Sequence, residues 1–274
     1  MEKKRVLFIS QEINPFLVKS ELADFIRKVS QGIHDDGKEI RVFMPKFGAI
    51  NERRHQLHEV IRLSGMNMII DDQDHPLIIK VASIPSTRIQ VYFIDNDEYF
   101  RRKSFECEET GGVCMDNDER SMFFCRGVME TVKKLGWKPD AIICSGWMSA
   151  FMPLYIKDVF ANEPHFSDAK LIYSVCDDVT NFPYSDRFVD KLKFDGFSQE
   201  TINALFDGDL NAVKALAMKL SDGLINCTNS VSENTKSASD ALCCEQVDFI
   251  SDETSMKTIA EFVDKLLEEE ILSE

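Results

Sequence analysis

The sequence predicts an α/β protein: a parallel β-sheet flanked by helices, one domain over 1–274, with a small antiparallel hairpin insertion at about 52–94. Three observations predict it. Short apolar β-rich runs alternate with stretches of helical period, the pattern of strand–helix–strand units. Their links are short, which favours parallel strands with right-handed crossovers. No repeat, low-complexity tract or Pro/Gly-rich linker divides the 274 residues, a length that can bury one full core.

Arg5–Ser10 is an apolar run and reads as a buried strand. After a loop with Pro15, residues Leu22, Phe25, Ile26, Val29 and Ile33 recur at helical spacing until Asp36-Gly37. Glu39–Pro45 is the second strand. Leu57–Leu63, Met66–Ile70, Leu77–Val81 and Ile89–Ile94 are strand-like runs parted by Ser64-Gly65, Asp71–Pro76 and Pro85-Ser86. They predict the hairpin insertion. Phe123, Val128, Met129, Val132 and Leu135 then mark an amphipathic helix ending near Gly136. Ala141–Cys144 reads as a strand, Trp147–Val159 as a helix and Lys170–Cys176 as a strand. Residues 199–221 read as helical, Gly223–Cys227 and Gln246–Ile250 as strands. Ile259, Phe262, Val263, Leu266 and Leu267 form the stripe of a last helix at about 255–271, with Glu261, Asp264, Glu268, Glu269 and Glu270 on its outer face.

Composition narrows the partners. The formal net charge is −15 and the pI about 4.8. Such a surface repels nucleic acid and anionic lipid, and it disfavours anionic ligands unless a site supplies donors. No apolar run reaches the ~20 residues of a membrane helix, and the charged start Met1–Arg5 has no signal-peptide core behind it. A soluble, cytoplasmic chain is the expectation. The eight cysteines hold no CxxC pair, and the five histidines do not fall at metal-ligand spacing with them. Reduced thiols, no metal and no cofactor are therefore expected.

Four stretches, in order, carry a family resemblance. The first is Val6–Glu12 with Pro15-Phe16 and Leu22-Ala23-Asp24; the second is Arg41–Gly48. The third is Val91–Asn96 followed by Asp116–Arg120, Phe123-Phe124 and Arg126; the fourth runs from Leu135–Asp140 through Trp147 to Pro153–Tyr155. Across about residues 5–235 the chain resembles the N-terminal domain of the bacterial glycogen/starch synthases, glycosyltransferases of GT-B fold. The resemblance implies a Rossmann-like sheet, the N-terminal half of that fold, and an α-glucan-related role.

The departures from the family pattern bear on activity. In the family the loop after the first strand reads Lys-x-Gly-Gly-Leu-Ala-Asp and brings backbone N–H groups to the donor's phosphates. Here Val18 stands at the Lys position, with Lys19 beside it, and Ser20 and Glu21 stand at the glycines. A Cβ at each narrows the approach. Glu21 adds a negative charge, worth about 4 kcal/mol at ~4 Å and an effective dielectric of ~20. The family's His-Cys-His-Asp-Trp reads Ile143–Trp147, with Ser145 and Gly146 for the second His and the Asp. Its Thr-Ile-His-Asn reads Ser174–Asp177, so Cys176 takes the place of the His beside the reacting sugar. A thiol is a weak donor. After Asp222–Asn226 the sequence leaves room for about one helix and one strand, so the nucleotide-binding second half is expected to be missing.

Three functional readings follow. One is a binding or regulatory module without independent transferase activity, with α-glucan or maltooligosaccharide as candidate ligand. Ser145, Trp147, Asp177, Phe182 and Tyr184 are its candidate sugar contacts. The second is a glucosyltransferase subunit completed by a separate C-terminal-domain chain; a homo-oligomer is a further candidate assembly. The third is another reaction at Ser145, Cys176 and Asp177, with Cys176 as nucleophile, which needs a base that no adjacent His supplies.

Overall fold

A computed structural model describes residues 3–17, 20–102, 114–176, 183–206, 208–226, 233–249 and 253–268. β1 (Arg5–Ser10) is buried from Val6 to Ser10. α1 (Glu21–Asp35) starts at Ser20, whose hydroxyl accepts from the Leu22 N–H, and buries Leu22, Phe25, Ile26, Val29 and Ile33. Gly37, at φ 100°, turns the chain into β2 (Glu39–Pro45). β3 (His58–Glu59), β4 (Met66–Ile70), β5 (Gln73–Ser83) and β6 (Gln90–Asp95) follow. Next come α2 (Asp97–Phe100) and α3 (Asn117–Leu135), the latter closed by Gly136 in the left-handed region. β7 (Ala141–Ser145) leads into a 3₁₀ turn at Trp147–Ser149, α4 (Phe151–Leu154) and a π-helical turn at Tyr155–Val159. β8 (Lys170–Val175), α5 (Phe188–Asp195), α6 (Gln199–Leu205), α7 (Leu210–Lys219) and β9 (Gly223–Asn226) complete the family-like part. α8 (Glu233–Asp240), β10 (Glu245–Asp248) and α9 (Glu253–Glu268) end the described chain.

The sheet order is β10-β9-β8-β7-β1-β2-β6-β5-β3, with β4 paired to β5. From β10 to β6 every neighbouring pair is parallel; β5 joins β6 antiparallel and carries β3 and β4. The expected α/β sheet with an antiparallel insertion is therefore present. β1 lies in the middle, buried on both faces, as its unbroken apolar run requires.

Three local expectations need correction. The run Ile89–Ile94, expected within the antiparallel insertion at one end of the sheet, pairs antiparallel with β5 but also belongs to the parallel sheet. It forms β6, parallel to β2 with Val91 opposite Val42, so only β3–β5 lie outside the parallel sheet. Asp71–Pro76 does not separate two strands either. Asp71 and Asp72, at φ 49° and 64°, make a two-residue turn, and β5 runs from Gln73 through Pro76. Such a turn needs positive φ at both central residues, which aspartate tolerates. Trp147–Val159 is not one α-helix. Pro153 has no N–H and fits only a first helical turn, so the chain makes a 3₁₀ turn, restarts at Phe151, and then widens into the π turn.

The tail is integral to the sheet. β10 pairs with β9, and Phe249 meets Phe25 of α1 edge-on at 5.0 Å. α9 lies along α1. Met256 comes close over Gly32, while Phe262 and Leu266 fill the space over Gly223, where a Cβ would meet them at 2.7 and 2.8 Å.

Candidate functional site

In parallel sheets ligands sit at the carboxyl ends of the strands. Here that edge is made by the ends of β1, β7, β8 and β9. β1 ends at Ser10, and the chain turns through Gln11 and Glu12, both buried although polar. The Ser10 hydroxyl donates to the Glu12 carbonyl at 2.9 Å. Ser20 Oγ donates to Glu12 Oε1 at 2.6 Å and accepts from the Leu22 N–H at 3.1 Å. The start of α1, where a phosphate would be drawn by the free N–H groups, thus holds its own cap, a buried carboxylate, and Glu21 and Asp24 in the first turn. Val18 and Lys19 lie outside the described residues.

The end of β7 is closed by internal contacts. Ser145 and Ser174 are fully buried and bonded to each other, Oγ to Oγ at 2.8 Å. Trp147 is fully buried as well. Neither Ser145 nor Trp147 presents a face to a sugar in this arrangement, because both turn into the core beneath the edge. Gly146 sits at φ 79°, ψ 166°, a region open only to glycine. The space over it is taken by Gln11: a Cβ on Gly146 would lie 2.5 Å from Gln11 Oε1, which also accepts from the Met148 N–H at 3.4 Å. So the aspartate that the family pattern places here could not be restored alone. Gly146→Asp is expected to cost about 1–3 kcal/mol in backbone strain, and more if Gln11 cannot move. Thermal melting checks this; an unchanged midpoint would mean that the loop relaxes freely.

At the end of β8, Cys176 is nearly buried and disulfide-bonded, so it holds no free thiol to act as donor or nucleophile. This corrects the expectation of reduced thiols throughout and runs against the habit of cytosolic chains. Cys114, Cys125, Cys144, Cys243 and Cys244 are free, and burial pushes the Cys144 thiol upward. Asp177 and Phe182 lie outside the described residues. Tyr184 is half-buried, stacked on Phe188 with ring centroids 3.7 Å apart.

Beside this edge lies a polar network that the sequence reading touched only through Asp116–Arg120, Arg126 and Tyr155. Lys191 of α5, 1% exposed, reaches Asp118 Oδ2 at 3.2 Å and pairs with Glu119. Ser185 donates to Asp118 Oδ2 at 2.7 Å and accepts from Lys191 at 2.6 Å. Asp116 holds Arg102 through both oxygens, at 2.8 and 2.5 Å. Arg120, fully buried, donates to the Tyr99 carbonyl and to Asn117 Oδ1; burial lowers its guanidinium to about 10. Arg126 and Tyr155 both donate to the buried Asp195. These contacts tie α3 to α5 and set the wall against which the segment around Tyr184 rests. Lys191 was legible only as a cation between Asp190 and Leu192, a weak signal.

The first part of the fourth family-like stretch, Leu135–Asp140, serves the opposite end of the sheet. Trp137 donates to Glu39 at 2.7 Å and packs under Arg41, while Asp140 accepts from the Arg5 N–H and from Lys4. Its role is to close the amino-terminal edge. Among the described residues, no group of three His, Cys, Asp or Glu side chains could hold a metal ion, and no helix is long and apolar enough to cross a membrane.

Comparison with known proteins places these features. The profile of the starch synthase catalytic domain matches residues 5–242. A glycogen synthase of Chlorobium limicola is 42% identical over 172 residues, which cover 62% of this chain and 35% of that protein. A glycogen synthase of Pelodictyon phaeoclathratiforme is 40% identical over the same length, again 35% of that protein. The matched part of the chain thus spans about a third of these relatives. Among solved structures, the catalytic domain of starch synthase IV from Arabidopsis thaliana, bound to ADP and acarbose, superposes with a TM-score of 0.63. It covers 82% of this chain and 45% of that one at 18% identity, a likeness of fold.

Proposed function

The chain belongs to the starch synthase catalytic domain family, and from that premise we propose that it is a glucan-related binding or regulatory module without independent glucosyl transfer. The observation that carries this is the start of α1. There Ser20, Glu12, Glu21 and Asp24 occupy the N-terminal turn with the chain's own hydroxyl and carboxylates. Transfer from a nucleotide sugar needs donors aimed at the leaving diphosphate, and this end of the helix offers negative charge instead. The closed ends of β7 and β8 support the same reading: Ser145 is bonded to Ser174, Gln11 fills the space over Gly146, and Cys176 takes the place of the histidine that the resemblance puts beside the reacting sugar. The ligand in this proposal is α-glucan or a maltooligosaccharide, the setting is cytoplasmic, and no cofactor is required.

The test is calorimetry of the chain against ADP-glucose, UDP-glucose and maltoheptaose, with labelled-glucose incorporation into glycogen alongside. The expected result is no incorporation, no heat with either nucleotide sugar, and weak binding of maltoheptaose. Measurable incorporation by the chain alone would overturn the proposal, and a flat maltoheptaose titration would remove its glucan part. A second reading, a transferase subunit completed by another chain, is favoured by the relatives' extra length. Incorporation that appears only when a C-terminal half from such a relative is added would establish it.

A further inference from the structure

Cys243 and Cys244 are neighbours in the short turn between α8 and β10, and both are free, Cys243 exposed and Cys244 half-buried. Cys244 packs against the apolar core, so one residue of the pair is anchored and the other faces solvent. Neighbours on a strand would point to opposite faces. Here both line one open cavity of about 590 Å³, together with Lys236 and Asp240 of α8 and Glu245, Gln246 and Asp248 of β10. Its walls are tied down. Gln246 Nε2 donates to the Ser239 carbonyl of α8 at 2.7 Å, and Lys265 of α9 pairs with Glu245 at 2.8 Å.

The chemistry open to this pair is narrow. A trans peptide holds neighbouring Cα atoms about 3.8 Å apart, closer than the roughly 4.4–6.8 Å that an unstrained disulfide spans. A direct bond between the two sulfurs is therefore strained, and both stay free in a chain whose Cys176 is disulfide-bonded. The cavity walls carry three carboxylates to one lysine and repel an anionic disulfide such as glutathione disulfide. Disulfide exchange also starts from a thiolate, and burial, with Cys243, Asp222 and Glu245 nearby, raises the Cys244 thiol. A metal ion needs further ligands, and no group of three His, Cys, Asp or Glu among the described residues could hold one. What suits the pair is an uncharged, soft centre that enters between the sulfurs and bonds both.

We propose that Cys243 and Cys244 form a two-sulfur site for trivalent arsenic, taken up as arsenous acid. Each sulfur forms one bond to arsenic, and each thiol proton leaves with an arsenic hydroxyl as water. Two waters are released, one hydroxyl stays on arsenic, and arsenic remains trivalent, so no oxidant or reductant is needed. Arsenous acid is uncharged at neutral pH, and the acidic walls do not oppose its entry. Lys236 and the second hydrogen of the Gln246 amide line the same cavity and can donate to the hydroxyl that remains. None of the candidate sugar contacts lines this cavity, so the site stands whether or not the chain binds glucan.

Mass spectrometry of the whole, unreduced chain with arsenite tests this. The expected result is one arsenic per chain, added with loss of two waters. Peptide mapping should place it on Cys243 and Cys244, with both shielded from maleimide. A competing dithiol such as 2,3-dimercaptopropanol should strip it, whereas a monothiol at the same thiol concentration should not. Cys243→Ser and Cys244→Ser should each weaken retention by an order of magnitude or more. No uptake, arsenic mapped to other cysteines, undiminished retention in Cys243→Ser, or a Cys243–Cys244 disulfide in the chain as purified would overturn the proposal. Cys243 is exposed, so its variant keeps the fold. Should Cys244→Ser not fold, Cys243→Ser and the mapping of the unaltered chain decide the matter.

Discussion

Removal of residues 255–274 is expected to leave a chain without a cooperative unfolding transition at room temperature. α9 buries Ile259, Phe262, Val263, Leu266 and Leu267, all at 7% exposure or less. Each such side chain contributes about 1.5–3 kcal/mol by leaving water. Together they rival the whole stability of an ordinary domain, about 5–15 kcal/mol. The loss is doubled in kind, because the faces of α1 and β9 that they cover would be bared as well. Gly223 and Gly32 accept large side chains of α9 at close range, which a loosely attached tail would not require. Lys38 would also lose a partner. It is nearly buried and bonded to Asp36 and, at 3.0 Å, to Asp264 of α9. Burial alone would lower its ammonium, but those bonds outweigh burial and raise it. Circular dichroism melts and a solubility assay of the truncated chain provide the check. If both match the intact chain, α9 is a dispensable tail and its burial carries no weight.

The stripe of α9 was plain in the sequence because the apolar spacing from Ile259 to Leu267 follows one helical face for roughly two and a half turns. α1 and the strands of the central sheet were plain for the same kind of reason: period 3.6 in one case, unbroken apolar runs in the other. What periodicity could not show was partnership. Ile89–Ile94 reads equally well as a hairpin strand or a sheet strand, and only the pairing of β6 with β2 decides. The site was less legible than the fold. The family resemblance pointed to the carboxyl edge of the sheet, where Ser20, Gly146 and Cys176 lie, yet residue type alone could not say that Trp147 and Ser145 turn inward. Lys191 was missed because a lysine between Asp190 and Leu192 in a mixed charged and apolar helix gives no sign that Asp118 and Glu119, about 70 positions earlier in the chain, wait for it. Long-range pairing of charges leaves no local pattern to read.

Arg126 shows how such a pair should behave when broken. Its Nη1 donates to Asp195 at 2.9 Å and to the Ile69 carbonyl of β4 at 2.6 Å, so one guanidinium fastens α3, the end of α5 and the insertion together. Asp195 is 3% exposed, with Tyr155 as its other donor. Burial raises the Asp195 carboxyl above its ordinary value, and Arg126 and Tyr155 pull against that. Arg126→Met keeps the stem and removes the charge, leaving a buried carboxylate with only a hydroxyl to face it. Breaking a buried pair in this way costs about 3–5 kcal/mol at neutral pH. The sign with pH follows from the direction of the shift. A carboxyl whose folded value is raised leaves stability intact below its unfolded value, near 3.9, and takes it away as pH climbs through the folded value. Losing Arg126 raises the folded value further, so the variant should come closest to the intact chain in acid and fall further behind toward neutrality. Denaturant melts at a series of pH values measure this. A deficit that stays constant with pH would mean that Arg126 acts through its packing and the Ile69 contact, not through the charge on Asp195.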